Sequence, residues 1–272
     1  MASQIVVAAD AEATLVVAPR DVAGKLAEYG TAGINRLSLK ALTLDPAALA
    51  VLYDAGSLFP RIALDLSFGQ TGQSLADWRA TLDRALTANV GHLSIEEAGR
   101  SRAADVDRMA DLYQLACDHL EAAGMPAYEI SHFARRGQES RQLLHVASGG
   151  DYLGIGPGAV GRVTIGRACW ALDQVPSAAW FRAVDRGVEG KRRSLGSEER
   201  LIELALNGMR LRAGIGRRWF EPVVGATVED AFGSGRLAEL IEDGFLELDR
   251  DGLRLSKRGW PLCDSVLARL LA

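Results

Sequence analysis

A chain of 272 residues, with 48% hydrophobic and 24% charged residues, has room for one large domain, or for a large domain and a small one. The formal net charge of −4 gives no reason to expect nucleic acid or an anionic membrane as a main partner. Cys117, Cys169 and Cys263 are too few and too scattered for a disulfide framework, and no apolar run reaches the ~20 residues of a membrane span.

The first half of the chain alternates short β-branched runs with amphipathic stretches of helical spacing. Asp21, Asp45 and Ser74 are placed as helix N-caps, and Gly124 is placed to end the longest helix. This alternation is typical of βαβ units with a parallel sheet, and it predicts a barrel-like or partial-barrel arrangement. Strands are predicted over 5–9 and 14–18 (alternatively one broken strand), 36–39, 61–68, 92–95 and 127–133, and helices over 21–29, 45–53, 74–88 and 104–123.

The last third of the chain has a different pattern. Helices are predicted over 197–211 and 228–243, the second interrupted near 233–235, then a hairpin over 245–256 around Asp251-Gly252, and a helix over 260–271. This order of elements is typical of a winged-helix-like module. The charges of its acidic and basic residues roughly cancel, which argues against DNA binding.

The expected fold is therefore of the α/β class, with three parts. Residues 1–163 are predicted to form a truncated parallel β/α barrel, and residues 197–272 a small helical winged-helix-like domain. The segment 164–196 between them carries the basic run 191–193 and is predicted to be a solvated connection.

The glycine-rich stretch 149–163 contains Gly156, Gly158 and Gly161 at the spacing G-x-G-x-x-G. A dinucleotide fingerprint needs a preceding strand, a following helix and an acidic residue about 20 positions later. Here the following residues, 162–165, have an extended pattern, and Pro157 lies within the turn. We therefore predict a tight loop whose glycines allow positive φ and close backbone contact, and no nucleotide site.

Several ordered motifs resemble the oxygen-independent coproporphyrinogen III oxidase family, most closely its heme-chaperone branch. The motifs are GDYLGIGPGA at 150–159, with YEIS at 128–131 and ESR at 139–141 before it, GINRLSL at 33–39, DLSFGQTGQ at 65–73 and LIEDGFL at 240–246. The resemblance covers nearly the whole chain. It implies a radical S-adenosylmethionine protein with a [4Fe–4S] cluster held by a C-x-x-x-C-x-x-C loop.

The sequence departs from this family where the resemblance implies cofactors. The C-x-x-x-C-x-x-C loop and the glycine-rich strand end after it are absent, as in a family member that starts at about the third barrel strand. Val16 stands where the resemblance implies a cofactor-facing glutamate, and Val160 where it implies a histidine. The branch's His-Asn-x-x-Tyr-Trp motif aligns with 142–147, where all four defining positions differ. We therefore expect neither a [4Fe–4S] cluster nor S-adenosylmethionine, and no radical enzyme activity.

Two histidines are candidate ligands. His145, at one of the x positions of that motif, is either an axial heme ligand or a loop histidine. His132 lies at a strand end, where barrels carry functional groups, or is simply hydrogen-bonded there. Glu129, if it points into a barrel, needs a partner such as Arg141 or Arg162, and either orients a ligand or forms a buried structural pair. The full candidate set is Glu129, Ser131, His132, His145, Gly154, Gly156 and Gly158.

Three functions compete on these observations. The first, and our expectation, is a degenerate family member that binds or transfers heme or another tetrapyrrole without radical chemistry. The second is a non-catalytic interaction or regulatory protein that pairs with a full-length relative, or with itself, through an open sheet edge. The third is an active radical enzyme, which would need a cluster supplied from elsewhere. The N-terminus lacks a signal-peptide pattern, which predicts a cytoplasmic location.

Overall fold

The computed structural model describes residues 7–22, 24–41, 43–99, 106–166, 168–187 and 190–272. The chain divides between Ser140 and Arg141 into two compact units. Residues 5 and 6 of the predicted strand 5–9 and the start of the predicted helix 104–123 lie outside the described residues, and residues 7–9 form no strand. Among the described residues, no helix has the length and hydropathy needed to cross a membrane.

The first unit contains one six-stranded sheet in the order β1-β2-β3-β4-β6-β5. Strands β1 to β4 are parallel, whereas β6 is antiparallel to β4, and β5 is antiparallel to β6. The elements are β1 Thr14–Val17, α1 Pro19–Val22, α2 Leu26–Thr31, β2 Arg36–Lys40, α3 Pro46–Gly56, β3 Arg61–Phe68, α4 Leu75–Thr87, β4 His92–Glu97, α5 Val106–Ala122, β5 Ala127–Glu129 and β6 His132–Ala134.

Two of the predicted helix caps are confirmed. The Asp45 carboxylate accepts from the Ala48 N–H at 2.8 Å, and Ser74 forms a reciprocal capping box with Asp77. The predicted helix 21–29 was wrong, because the chain forms the two short helices α1 and α2 with Asp21 inside the first. Gly24 lies between them at φ 78°, a left-handed conformation that ends a helix.

The predicted strand 127–133 was also wrong as a single element. The chain reverses at Ile130 and Ser131, so that β5 and β6 form a tight antiparallel hairpin. The physical reason is a side chain: the Glu129 carboxylate accepts from the Ser131 N–H at 2.8 Å and fixes the turn.

The six-stranded sheet has two chemically different faces, because paired residues on neighbouring strands point to the same side. One face is apolar and packs on helices α3, α4 and α5 in a continuous core. Its strand residues include Leu37, Leu39, Ile62, Leu64, Leu66, Leu93 and Ile95. The other face, here called the polar face, carries Arg36, Ser38, Lys40, Asp65, His92, Ser94, Glu129 and His132.

A buried ion cluster lies at the amino ends of the parallel strands. Glu12 accepts from both Arg36 and Arg61, and all three side chains are nearly buried. The guanidinium of Arg36 also donates to the Gln138 carbonyl at 3.1 Å, and that of Arg61 to the Glu139 carbonyl at 2.7 Å. The cluster therefore fixes the segment after β6, a stabilising role typical of this end of a parallel sheet.

The second unit contains two antiparallel three-stranded sheets, in the orders β7-β8-β9 and β10-β12-β11. Its elements are α6 Arg141–Ala147, β7 Val160–Ile165, β8 Ala168–Asp173, α7 Ser177–Asp185, β9 Lys191–Ser194, α8 Ser197–Gly208, β10 Ile215–Gly216, α9 Arg217–Val224, α10 Val228–Phe232, α11 Ser234–Glu242, β11 Leu246–Leu248, β12 Gly252–Leu255 and α12 Cys263–Leu271, the last preceded by a 3-10 turn.

The segment 164–196, predicted to be a solvated connection, carries ordered elements instead. Strand β8 pairs with β7 along its whole length, and the basic run 191–193 lies on β9 at the edge of the same sheet, where its side chains are exposed. The pairing partners are distant in sequence, so local composition does not reveal them.

The elements predicted at the end of the chain are largely confirmed. The Asp249 carboxylate accepts from the N–H groups of Asp251 and Gly252 and closes the hairpin of β11 and β12. Gly233, at φ 79°, separates α10 from α11 where an interruption was predicted. Elements β10 and α9 were not predicted. The partial-barrel and winged-helix-like descriptions, and the boundaries at 163 and 196, stay predictions.

Candidate functional site

The candidate site lies on the polar face, at the turn between β5 and β6. Strand β6 runs antiparallel to β4 with His132 opposite Ser94, and the Ile95 N–H donates to the Ser131 carbonyl at 2.9 Å. The turn therefore lies beside the carboxyl half of β4. In sheets built from βαβ units this end of the strands carries functional side chains.

Glu129 is the centre of the turn. It is 5% exposed, and a single oxygen, Oε2, accepts three hydrogen bonds. The donors are the Ser131 N–H at 2.8 Å, the Ser131 hydroxyl at 3.1 Å and the His132 ring at 2.6 Å. Three donors on one buried oxygen hold the carboxylate in one orientation.

The tautomer of His132 follows from this contact. A carboxylate only accepts hydrogen bonds, so the ring nitrogen Nδ1 carries the proton that it donates to Glu129. In the neutral ring Nε2 then has a lone pair, and no described residue hydrogen-bonds to it. The side chain is 26% exposed. A carboxylate-oriented imidazole with an accessible Nε2 is the arrangement that proteins use for metal ligands and for proton acceptors.

A second histidine, His92, lies beside His132, but its side chain is buried. It is 3% exposed, and its Nε2 shares a 2.8 Å hydrogen bond with the Tyr128 hydroxyl, which also accepts from the Ser140 N–H at 3.2 Å. Burial, with repulsion from Arg36, His132 and Arg61, lowers the pKa of His92 to about 2.

Two consequences follow for this pair. His92 is neutral at physiological pH, and its Nδ1 has no hydrogen-bond partner in the described part of the chain. Burial raises the pKa of Tyr128 to about 12, with further raising by Glu129 and Glu139, so the phenol stays protonated.

The rings of His92 and Tyr128 also pack near His132. Their centroids lie 5.6 Å and 6.1 Å from the centroid of the His132 ring.

A row of four polar side chains crosses the sheet at the level of His132. Pairing places Lys40 opposite Asp65, Asp65 opposite Ser94, and Ser94 opposite His132. With strands about 4.8 Å apart, the row spans roughly 14 Å from Lys40 to His132. The Ser38 hydroxyl donates to Asp65 at 3.3 Å, and Lys40 is exposed at the end of β2.

The described side chains do not fit the cofactors that the resemblance implies. A [4Fe–4S] cluster needs several thiolates within bonding distance of one centre, whereas Cys117, Cys169 and Cys263 lie on α5, β8 and α12. In the described ranges, no three His, Cys, Asp or Glu side chains group as a metal site. Val16, at the position of the implied glutamate, supplies no polar atom to the polar face.

The glycine loop, residues 149–159, is a bend held by close backbone contacts. A Cβ atom on Gly154 would lie 2.2 Å from the Val160 carbonyl oxygen, and Gly156 and Gly158 have φ values of 117° and 67°. Strand β7 follows the loop, and no helix N-terminus is offered to a phosphate. The predicted tight loop is confirmed, and ligand binding by its glycines stays a prediction.

His145 on α6 is held differently from His132. Its Nε2 lies 2.8 Å from the Asp151 carbonyl oxygen, which only accepts, so this nitrogen carries the proton. The ring also lies directly against Gly150. The nitrogen that usually binds heme iron, Nε2, is therefore already hydrogen-bonded within the loop.

Two further comparisons with the sequence predictions concern partners. Arg162, one of two partners predicted for Glu129, donates to Glu203 at 2.7 Å, and the turn itself supplies donors to Glu129. His92 is not among the candidate residues named from the sequence. Its place beside His132 depends on the β4–β6 register, for which the sequence carries no local signal.

Comparison with known proteins identifies relatives over the whole chain. Residues 195–262 match the family described as the HemN C-terminal domain. The chain is 34% identical to "Radical S-adenosyl methionine domain-containing protein 1, mitochondrial" of Mus musculus, covering 100% of this chain and 70% of that protein. It is 30% identical to the heme chaperone HemW of Mycobacterium tuberculosis, covering 98% of this chain and 73% of that protein.

A solved structure agrees with these relatives in fold. The coproporphyrinogen III oxidase (HemN) of Escherichia coli superimposes with a TM-score of 0.78 at 20% identity, over 97% of this chain and 70% of that one. At this identity the likeness establishes an α/β fold of the same kind and carries no conclusion about activity.

Proposed function

Since the chain belongs to the HemW-like family of radical S-adenosylmethionine proteins, we propose that it binds heme, with Nε2 of His132 as an axial ligand to the iron. The relative from Mycobacterium tuberculosis is named as a heme chaperone. Here heme is the cargo that the protein binds and passes on.

One observation carries the proposal: the hydrogen bond from His132 to the buried Glu129, with Nε2 left open. Metal-binding histidines commonly donate their other ring nitrogen to a carboxylate, which fixes the ring and raises the basicity of the ligating atom. Neutral imidazole is also the commonest protein ligand of heme iron. His145 lacks both features, because its Nε2 is bonded to a backbone carbonyl.

The surroundings of His132 support a flat, anionic ligand. The ring of Tyr128, which is half-buried, lies next to His132, and the buried ring of His92 packs against it from within. Lys40 lies at the far end of the polar row, roughly 14 Å away by strand spacing. Its exposed ammonium group would attract a propionate.

Binding in this way needs no radical chemistry. No thiolate takes part in the proposed site, and Val16 and Val160 replace the polar residues that the resemblance implies. We therefore expect hemin to bind without reconstitution of an iron–sulfur cluster and without S-adenosylmethionine. Detection of about four irons per chain after anaerobic reconstitution would contradict the proposed loss of the cluster.

Hemin titration tests the proposal. The wild-type protein should give a saturable Soret band, and His132→Ala should weaken binding at least tenfold, in line with loss of metal-ligand support. His145→Ala is the matched control and should bind like the wild type. A wild-type protein without a saturable band, or a His132→Ala protein with unchanged affinity, would overturn the proposal.

The alternative of an interaction protein rests on the sheet edge. Strand β1 is the terminal strand of the described sheet, and Val16 on it is exposed. An edge strand of this kind is a template for pairing with another chain. Pairing with a relative or with a second copy, and the cytoplasmic location, stay predictions; light scattering of the purified protein measures the oligomeric state.

A further inference from the structure

The hydrogen bond between Glu129 and His132 bears on the iron that His132 would bind. Glu129 is buried, accepts three hydrogen bonds on one oxygen, and lies 2.6 Å from Nδ1 of His132. Of the cationic groups described on the same face, Arg36 and Arg61 are bonded to Glu12, and Lys40 lies at the far end of the polar row. The charged group that hydrogen-bonds the imidazole among the described contacts is therefore the Glu129 carboxylate.

Donation of the Nδ1 proton to a carboxylate gives the ring partial imidazolate character. Electron density at Nε2 rises, and the ligand becomes a stronger donor. Ferric heme carries one more positive charge than ferrous heme, so a more anionic ligand stabilises the ferric state more than the ferrous state. Hydrogen bonding to an axial ligand is one of the ways in which proteins set the reduction potential of heme.

We propose that the Glu129–His132 pair makes the site selective for oxidation state, so that the protein holds ferric heme more tightly than ferrous heme. This inference rests on the proposed function, because it requires His132 to bind the iron. It adds the class of ligand, a ferric tetrapyrrole, and assigns Glu129 as the positioning residue that sets the preference.

The two affinities are tied to the reduction potential by a thermodynamic cycle. For this one-electron couple, each tenfold preference for ferric over ferrous heme lowers the midpoint potential of the bound heme by 59 mV. The preference is therefore measured directly by spectroelectrochemical titration of the hemin-loaded protein, with the wild type as reference.

Glu129→Gln is the decisive variant. The glutamine carbonyl can still accept the Nδ1 hydrogen bond, but the negative charge is gone. The potential of bound heme should rise, with the ratio of ferric to ferrous affinity falling about tenfold, or 59 mV. Asp151→Asn is the matched control, because it removes a carboxylate from the glycine loop, and it should leave the potential unchanged.

Ser131→Ala covers the case in which Glu129→Gln does not fold. It removes the hydroxyl that donates to Oε2 and keeps the charge, so the carboxylate interacts more strongly with His132. The potential should fall; a potential equal to or above that of the wild type would overturn the inference.

The outcomes separate the two proposals. If His132→Ala loses the Soret band but Glu129→Gln has the wild-type potential, the heme site stands and the oxidation-state preference is wrong. If the wild type binds no hemin, the proposed function fails and the inference fails with it.

Discussion

The turn between β5 and β6 and the glycine loop after α6 each carry a histidine, but they leave different ring nitrogens open. His132 donates Nδ1 to a carboxylate and keeps Nε2 open, whereas His145 uses Nε2 to bond the Asp151 carbonyl. A histidine in a loop is therefore informative only once the partner of each ring nitrogen is known.

The two bends are also built by opposite means. The β5–β6 turn depends on side chains, since Glu129 accepts from the backbone and side chain of Ser131. The glycine loop depends on the absence of side chains, because the backbone at Val160 lies against Gly154. Substitution should therefore damage the first bend by removing atoms and the second by adding them.

The largest effect should come from removing the buried carboxylate. Glu129→Ala leaves the Ser131 N–H, the Ser131 hydroxyl and the His132 ring without their acceptor, and we expect the free energy of unfolding to fall by about 3 kcal/mol. Asp151→Ala is the counterpart in the glycine loop. Asp151 accepts from the N–H and hydroxyl of Thr164 at an exposed position, and its loss should cost about 1 kcal/mol or less.

Urea unfolding followed by far-UV circular dichroism measures both variants. The curves need to be fitted with allowance for separate unfolding of the two compact units, which would give two transitions. Equal losses for Glu129→Ala and Asp151→Ala would show that burial does not distinguish the two bends.

A fall in pH should lower the free energy of unfolding through His92, which bonds Tyr128 on the strand before the turn. The folded-state pKa of His92 is about 2, below its ordinary value of 6.5, so the unfolded chain takes up a proton in this range and the folded chain does not. Stability is therefore lost as the pH falls from 6.5 towards 2, by up to about 1.4 kcal/mol per pH unit. Between pH 6.5 and about 4.5 the expected loss from this group is about 2–3 kcal/mol.

His92→Gln isolates this contribution, since an amide does not titrate and can still bond the Tyr128 hydroxyl. The difference in unfolding free energy between the wild type and His92→Gln should shrink as the pH falls. Parallel stability curves over this range would mean that His92 takes up its proton without unfolding.

The elements that the sequence predicts well are those with local signals. Asp45 and Ser74 cap their helices because the capping contacts span only three residues, and the Asp251-Gly252 hairpin has similarly local chemistry. The glycine loop and the strand after it were predicted for the same reason, from Gly156 and Gly158 and the extended pattern beyond them.

Elements that depend on distant partners were missed. The turn at Ile130 and Ser131 has no glycine or asparagine, and a side chain, Glu129, stabilises it instead. Strand β8 is defined by pairing with β7 and β9. Within the candidate site, Glu129, Ser131 and His132 were predicted together because they are neighbours in sequence. The contribution of His92 required the register of β4 against β6.

The smallest effects on the free energy of unfolding should come from the glycine loop. Two glycine-to-alanine substitutions there separate the cost of a steric clash from the cost of a left-handed backbone conformation. Alanine at Gly154 places Cβ 2.2 Å from the Val160 carbonyl oxygen, so the backbone must shift, and we expect a loss of about 2 kcal/mol. Alanine at Gly158 meets no atom within 4 Å, and its cost is the left-handed conformation at φ 67°, about 1 kcal/mol. Gly158→Asn should recover part of this loss, because asparagine tolerates that conformation. Thermal unfolding of the three variants gives the order directly. If Gly154→Ala proves as stable as the wild type, the close contact with Val160 does not shape the loop. The glycine loop would then not differ from the turn at Glu129 in the way proposed here.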